Sequence, residues 1–171
     1  LEAGSSITSG RHLTIHSGHG DTGNLDHIGT TISISSDEVS SNEIEIAGQR
    51  ENDVITLQPE AMSGHVRVLG DTDGLAGGDD IITINKLPSM TTSRDRLDDG
   101  INGLLVRDAV DVDGRGGTDS YFINTWGSQA DGRHDYLINV LDSGAKDDGL
   151  DTLQIDGSNQ AVNTPLYDSR R

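Results

Sequence analysis

The chain has 171 residues, enough for one domain or a short stack of repeats, yet only 32% are hydrophobic and 3% aromatic. Its formal net charge of −17 arises from 23 Asp and 6 Glu against 12 Lys and Arg, which excludes a basic surface able to neutralise nucleic-acid phosphates. There is no Cys, hence no disulfide framework or thiolate metal site, and no apolar stretch long enough to span a bilayer as a helix.

The core has to be built from 15 Ile and 9 Val, because Phe122, Trp126, Tyr121, Tyr136 and Tyr167 are the only aromatic residues. Small β-branched side chains suit a narrow interior between close strands. Helical periodicity is almost absent, and short alternating runs recur instead. In chain order, strands are expected at His12–His16, Thr31–Ser35, Glu43–Ile46, Asp53–Gln58, His65–Leu69 and Ile81–Asn85, then at Gly103–Val106, Ser120–Thr125, Asp135–Leu141 and Thr152–Ile155. Gly, Asp, Ser and Asn turns separate them, among them Asp73-Gly74, Asp99-Gly100, Asp113-Gly114, Asp131-Gly132 and Asp148-Gly149. The stretch Lys86–Gly103, with Pro88, Asp95, Asp98 and Asp99, reads as an inserted loop.

A degenerate repeat emerges when strand starts are aligned. Asp53-Val-Ile-Thr-Leu-Gln58, Asp80-Ile-Ile-Thr-Ile-Asn85, Asp119-Ser-Tyr-Phe-Ile-Asn124 and Asp151-Thr-Leu-Gln-Ile-Asp156 share one template. An Asp comes first, two apolar residues stand two apart on one strand face, and an amide or acid closes the unit at a corner. His134-Asp135-Tyr-Leu-Ile-Asn139 fits the same template with His134 in the Asp slot. The intervals of 27, 39 and 32 residues between the four Asp are unequal, so loops interrupt the stack.

The acidic turns carry the candidate chemistry. Asp71-Thr-Asp73-Gly and Asp111-Val-Asp113-Gly are each followed by Gly-Gly and by an acidic strand start, Asp79-Asp80 and Asp119 respectively. A third turn holds Asp142, Asp147, Asp148 and Asp151. Calcium takes six to eight oxygens from short carboxylates and from carbonyls in sharply turned backbone, which Asp and Gly supply. The alternative is that these turns are simply solvated. No Glu closes a twelve-residue loop, so an EF-hand is excluded.

These turns resemble degenerate forms of the repeats-in-toxin nonapeptide, Gly-Gly-x-Gly-x-Asp-x-apolar-x. Gly114, Gly117, Asp119 and Tyr121 match it, with Arg115 in the second glycine position; Gly78, Asp80 and Ile82 match in the preceding unit, where Leu75 and Ala76 replace glycines. Around Asp151 the matches are Gly149, Asp151 and Leu153. The stretch Gly116–Gly157 is also similar to segments of giant repetitive bacterial surface proteins. The resemblance implies a parallel β-roll holding calcium between turns, on the outside of the cell or in the medium.

Four of the histidines, His12, His16, His19 and His27, stand near the start. His12, Thr14 and His16 share one strand face, as an exposed row or, less simply, as a contribution to a zinc or nickel site. Trp126 and Tyr121 are candidate carbohydrate-stacking residues, or aromatics that cap a thin core. Catalysis finds little support: there is no Gly-x-Ser-x-Gly elbow, and a lyase-like role would fall on Arg94, Arg96 or Arg107.

The expected fold is all-β, an irregular parallel β-solenoid or β-roll-like stack with long loops, with a β-sandwich as the alternative. Residues 1–171 would form one module, irregular over residues 1–50 and rich in calcium-binding loops over residues 51–157. The start Leu1-Glu2-Ala3-Gly4, without Met or signal peptide, reads as a fragment of a larger protein. The expected function is a calcium-binding structural or adhesive module rather than an enzyme. Alternatives are a self-assembling filament or surface-layer subunit and a polysaccharide-binding accessory module. Expected partners are neighbouring repeats, other copies or polysaccharide.

Overall fold

A computed structural model describes residues 6–16, 29–72, 77–87, 97–98, 105–106, 109–125 and 137–157. Thirteen strands are present among them: β1 Ser6–Thr8, β2 His12–His16, β3 Thr31–Ile34, β4 Glu38–Ala47, β5 Val54–Leu57, β6 Met62–Leu69, β7 Ile81–Asn85, β8 Leu97–Asp98, β9 Leu105–Val106, β10 Ala109–Asp113, β11 Ser120–Asn124, β12 Leu137–Leu141 and β13 Thr152–Asp156. No helix occurs among the described residues, and so none long and apolar enough to cross a membrane.

The strands alternate between two sheets. The first, which we call sheet A, runs β1-β4-β6-β10-β12 with β2 also on β4; the second, sheet B, runs β13-β11-β7-β5-β3. Every pairing in both is parallel. Two-strand coils therefore stack in sequence: β2–β3, β4–β5, β6–β7, β10–β11 and β12–β13. This is a parallel solenoid and excludes the antiparallel sandwich. β8 and β9 form a small antiparallel pair on the excursion between β7 and β10, within and just beyond the stretch expected to be a loop.

Stacking rather than coil composition makes the core. In sheet B, Ile32, Ile55, Ile82, Tyr121 and Leu153 fall in one register row, and Ile34, Leu57, Ile84, Ile123 and Ile155 in the next. In sheet A the corresponding rows are Leu13, Ile44, Val66, Val110, Ile138 and Ile15, Ile46, Val68, Val112, Val140. A single buried cluster joins them. Each fully buried Ile or Val removes enough apolar surface to contribute roughly 1.5–3 kcal/mol, so a thin interior needs only one aromatic, Tyr121, among its buried residues. In the last described coil Leu153 is 51% and Ile155 65% exposed, although both sit in core rows.

Three expectations need correction. Asp111-Val-Asp113, expected to open an acidic turn, lies instead within strand β10, Ala109–Asp113; the alternation of Val110 and Val112 inward with Asp111 outward is a strand pattern that its acidic residues disguised. β12 lies in sheet A, where Asn139 pairs with Asp111, so the 134–139 unit does not belong to the Asp template column; His134 itself lies outside the described residues. β4 and β6 extend well upstream of the expected strands, to Glu38 and Met62, with an irregularity between Ser40 and Glu43.

Candidate functional site

The corner that leads from sheet A to sheet B carries the four template Asp, and the strand registers align them. Val54, Ile81, Ser120 and Thr152 pair in sequence, so the residues before them, Asp53, Asp80, Asp119 and Asp151, stack one above the other. Their carboxylates form a ladder. The Thr30 amide donates to Asp53 Oδ1 at 2.6 Å, Asp53 N–H to Asp80 Oδ1 at 2.7 Å, Asp80 N–H to Asp119 Oδ1 at 2.9 Å, and Asp119 N–H to Asp151 Oδ1 at 2.9 Å. Each Asp thus reaches back to the amide of the preceding coil.

The residue before each Asp does the reverse. Asp79 N–H donates to Asn52 Oδ1 at 3.0 Å, Thr118 N–H to Asp79 Oδ1 at 2.8 Å and Leu150 N–H to Thr118 Oγ1 at 3.3 Å. Two adjacent residues therefore bind the neighbouring coils in opposite directions, which requires a short acceptor side chain at both. This explains the pairs Asn52-Asp53, Asp79-Asp80 and Thr118-Asp119. One residue further back the coils touch through backbone. A Cβ on Gly78 would clash with Glu51, one on Gly117 with the Gly78 carbonyl and one on Gly149 with the Gly117 carbonyl. Gly117 also has φ = 117°, a conformation open to glycine and strained for other residues. At the opposite corner Asn85 Nδ2 donates to Gln58 Oε1 at 2.9 Å, one rung of the expected amide ladder.

The ladder uses only one oxygen of each buried carboxylate. Asp53 completes its second, accepting from the Gln49 amide at 2.6 Å. Among the described residues, Asp80 Oδ2 and Asp119 Oδ2 have no hydrogen-bond partner, and neither oxygen of Asp71 has one. All three residues are essentially inaccessible to solvent. Burial raises the Asp71 pKa, and the Gly78 and Gly116 amides near it oppose that rise only in part, since neither closes a well-formed hydrogen bond. Around these oxygens stand glycines and carbonyls. A Cβ on Gly70 would meet Asp80 Oδ2 and the Gly114 carbonyl oxygen, one on Gly77 would meet Asp71 Oδ2 and the Gly116 carbonyl oxygen, and one on Gly114 would meet Asp119 Oδ2. Burial is the main reason that the carboxyls are pushed up, to about 7 for Asp71, about 9 for Asp80 and about 6 for Asp119; repulsion from neighbouring carboxylates adds to it.

The other expected ligands are dispersed. Asp79 is exposed and belongs to the outer ladder. Asp113 is buried at the end of β10 and accepts from Ser143 N–H at 3.1 Å and Ser143 Oγ at 2.5 Å. Asp111 projects from the outer face of sheet A, bonded to His65 Nε2 at 2.8 Å and Asn139 Nδ2 at 2.7 Å. Partial burial raises its pKa, but the Asn139 and His65 hydrogen bonds outweigh this and hold it low. Asp142, Asp147 and Asp148 are exposed in the last turn, where a Cβ on Gly144 would meet Asp148 Oδ2 and the Arg115 carbonyl oxygen. Asp151 ends the inner ladder, and Asp73 lies outside the described residues. No three acidic or histidine side chains form a metal-holding group among the described residues.

Tyr121 is a core residue and not a sugar platform. It is 2% exposed, its hydroxyl oxygen accepts from Gly114 N–H at 2.8 Å, and burial pushes its pKa up. Trp126 lies outside the described residues. His12 and His16 share the outer face of sheet A but pair with carboxylates, His12 Nδ1 with Glu43 at 3.4 Å and His16 Nε2 with Glu45 at 3.0 Å. The sequence template aligned Asp53 with the other leading Asp without naming it a site residue, and Asn52 and Thr118 were missed as ladder members. The acceptor residue before each Asp is the signal that could have revealed the outer ladder. Comparison with protein-family models, curated proteins and solved structures finds no match for the chain.

Proposed function

We propose that the chain is a structural module of an extracellular or cell-surface protein, a β-solenoid segment whose corner is rigidified by bound calcium. The observation that carries this reading is the set of buried, unpartnered carboxylate oxygens on Asp71, Asp80 and Asp119, set beside the carbonyls of Gly114 and Gly116. A buried acceptor without a donor is costly by about 1–3 kcal/mol, and more when charged. A hard cation that takes oxygen ligands relieves that cost, and calcium accepts carbonyls and waters beside few carboxylates. No three of these carboxylates gather in one group among the described residues, so an ion would take one or two of Asp71, Asp80 and Asp119, with glycine carbonyls and water completing its shell. The ladder itself supports the mechanical side of the reading, because each rung ties one coil to the next.

Calorimetric titration of the chelator-stripped chain with calcium chloride at neutral pH tests the proposal. Saturable binding is expected, lost or weakened at least tenfold in Asp71→Asn. Heats no larger than dilution, or equal binding by Asp71→Asn, would overturn it.

A further inference from the structure

The two sheets present outer faces of opposite character. On sheet A the outward rows are His12, Glu43, His65, Ala109, Leu137 and Thr14, Glu45, Arg67, Asp111, Asn139. Charges dominate there, and they pair across the coils, as Arg67 Nη1 does with Glu45 at 3.4 Å. On sheet B the outward rows are Thr31, Val54, Ile81, Ser120, Thr152 and Ser33, Thr56, Thr83, Phe122, Gln154. None of these ten residues carries a charge, in a chain with 41 charged side chains (12 Lys and Arg plus 29 Asp and Glu); the next outward row, Asn85, Asn124 and Asp156, adds one carboxylate at the end of the face.

We propose that this outer face of sheet B binds a neutral polysaccharide. Five parallel strands make each row roughly 19 Å long, with the two rows about 7 Å apart, a long shallow platform suited to an extended polymer. Thr, Ser and Gln offer donors and acceptors that sugar hydroxyls use, while Val54 and the methyls of the threonines supply apolar contact. Phe122 stands between Thr83 and Gln154 in its row, 36% exposed, and Ile81, 42% exposed, lies diagonal to it in the other row. An exposed aromatic ring on a flat face is a stacking surface for the C–H side of a pyranose, and aromatics contribute large, specific contact area. Charge selects the ligand further. The net charge of −17 repels polyanions, and a polycation would favour the carboxylate corner and sheet A over a face whose one carboxylate, Asp156, stands at its end. A neutral glycan is disfavoured by neither. This inference does not depend on calcium at the corner.

Native gels cast with xyloglucan or glucomannan, and with polygalacturonate as the anionic comparison, test it. The chain is expected to be retarded by at least one neutral polymer and not by polygalacturonate. Phe122→Ala should weaken that retardation by about tenfold, the scale of losing one aromatic contact. Thr83→Lys on the same row should weaken it as well, while Arg67→Ala on sheet A should leave it unchanged, all three with wild-type circular dichroism. No retardation by either neutral polymer, retention by polygalacturonate alone, or equal retention of Phe122→Ala and Thr83→Lys would each overturn the proposal. So would a dimer in size-exclusion chromatography that Phe122→Ala dissolves, since the face would then belong to a second copy.

Discussion

Replacing Gly117 by Ala is expected to destabilise the chain by about 3 kcal/mol or more, because two independent costs coincide. The new Cβ would be driven into the Gly78 carbonyl, a backbone atom fixed in the preceding coil, and the residue would have to hold φ near 117°. Relief would require the coils to separate, which would break the Thr118–Asp79 and Asp80–Asp119 rungs on either side. For a chain of this size the loss corresponds to a melting temperature lower by roughly 6–12 °C. Gly10→Ala is the internal control, since none of the described residues stands within 4 Å of its Cβ position. Equal melting of the two variants would mean that the glycine column is not where coils meet.

The second large effect is on pH dependence, read in chelator. Asp71, Asp80 and Asp119 have carboxyls raised from 3.8 to about 7, about 9 and about 6. The folded chain therefore holds protons that the unfolded chain releases. The stabilisation they bring is complete below pH of about 4 and is lost as pH rises through 6 to 9. Thermal stability without cations should accordingly fall across that window, the reverse of a protein held by ionised salt bridges. Asp80→Asn should flatten the profile and melt higher than wild type at alkaline pH. Its amide oxygen keeps the bond from Asp53 N–H, and its NH2 reaches toward the Gly114 carbonyl in place of a bare carboxylate oxygen. A profile that rises with pH, or an Asp80→Asn variant that melts lower throughout, would contradict this.

Much of the fold was legible because sheet B repeats one alternation. Ile55, Ile82 and Ile123 stand where a period-two pattern puts a core face, and the leading Asp marks each strand start. Sheet A was harder to read. Val110 and Val112 alternate with Asp111 and Asp113, and an acidic strand whose carboxylates answer His65 and Ser143 cannot be told locally from an acidic turn. The partners come from residues 46 and 30 positions away. Register across corners of unequal length decides which column a unit joins, and that placed β12 in sheet A rather than with the template Asp. For the candidate site, Asp71, Asp80 and Asp119 were visible as residues. Their separation from Asp79, Asp111 and Asp113 follows from which way each side chain faces, a property of the stacked coils and not of the motif.

The most direct measurement is the melting temperature of the chain at pH 8.5 in chelator and then in millimolar calcium. At that pH Asp71 and Asp119 have lost the protons that stabilise the metal-free corner, so a cation is most needed. Calcium at about a hundred times its dissociation constant would add about 2.7 kcal/mol, and the melting temperature should rise by roughly 5–11 °C. At pH 5, where protons already occupy these carboxyls, the rise should be much smaller. The same melting temperature with and without calcium at pH 8.5 would contradict a cation-stabilised corner.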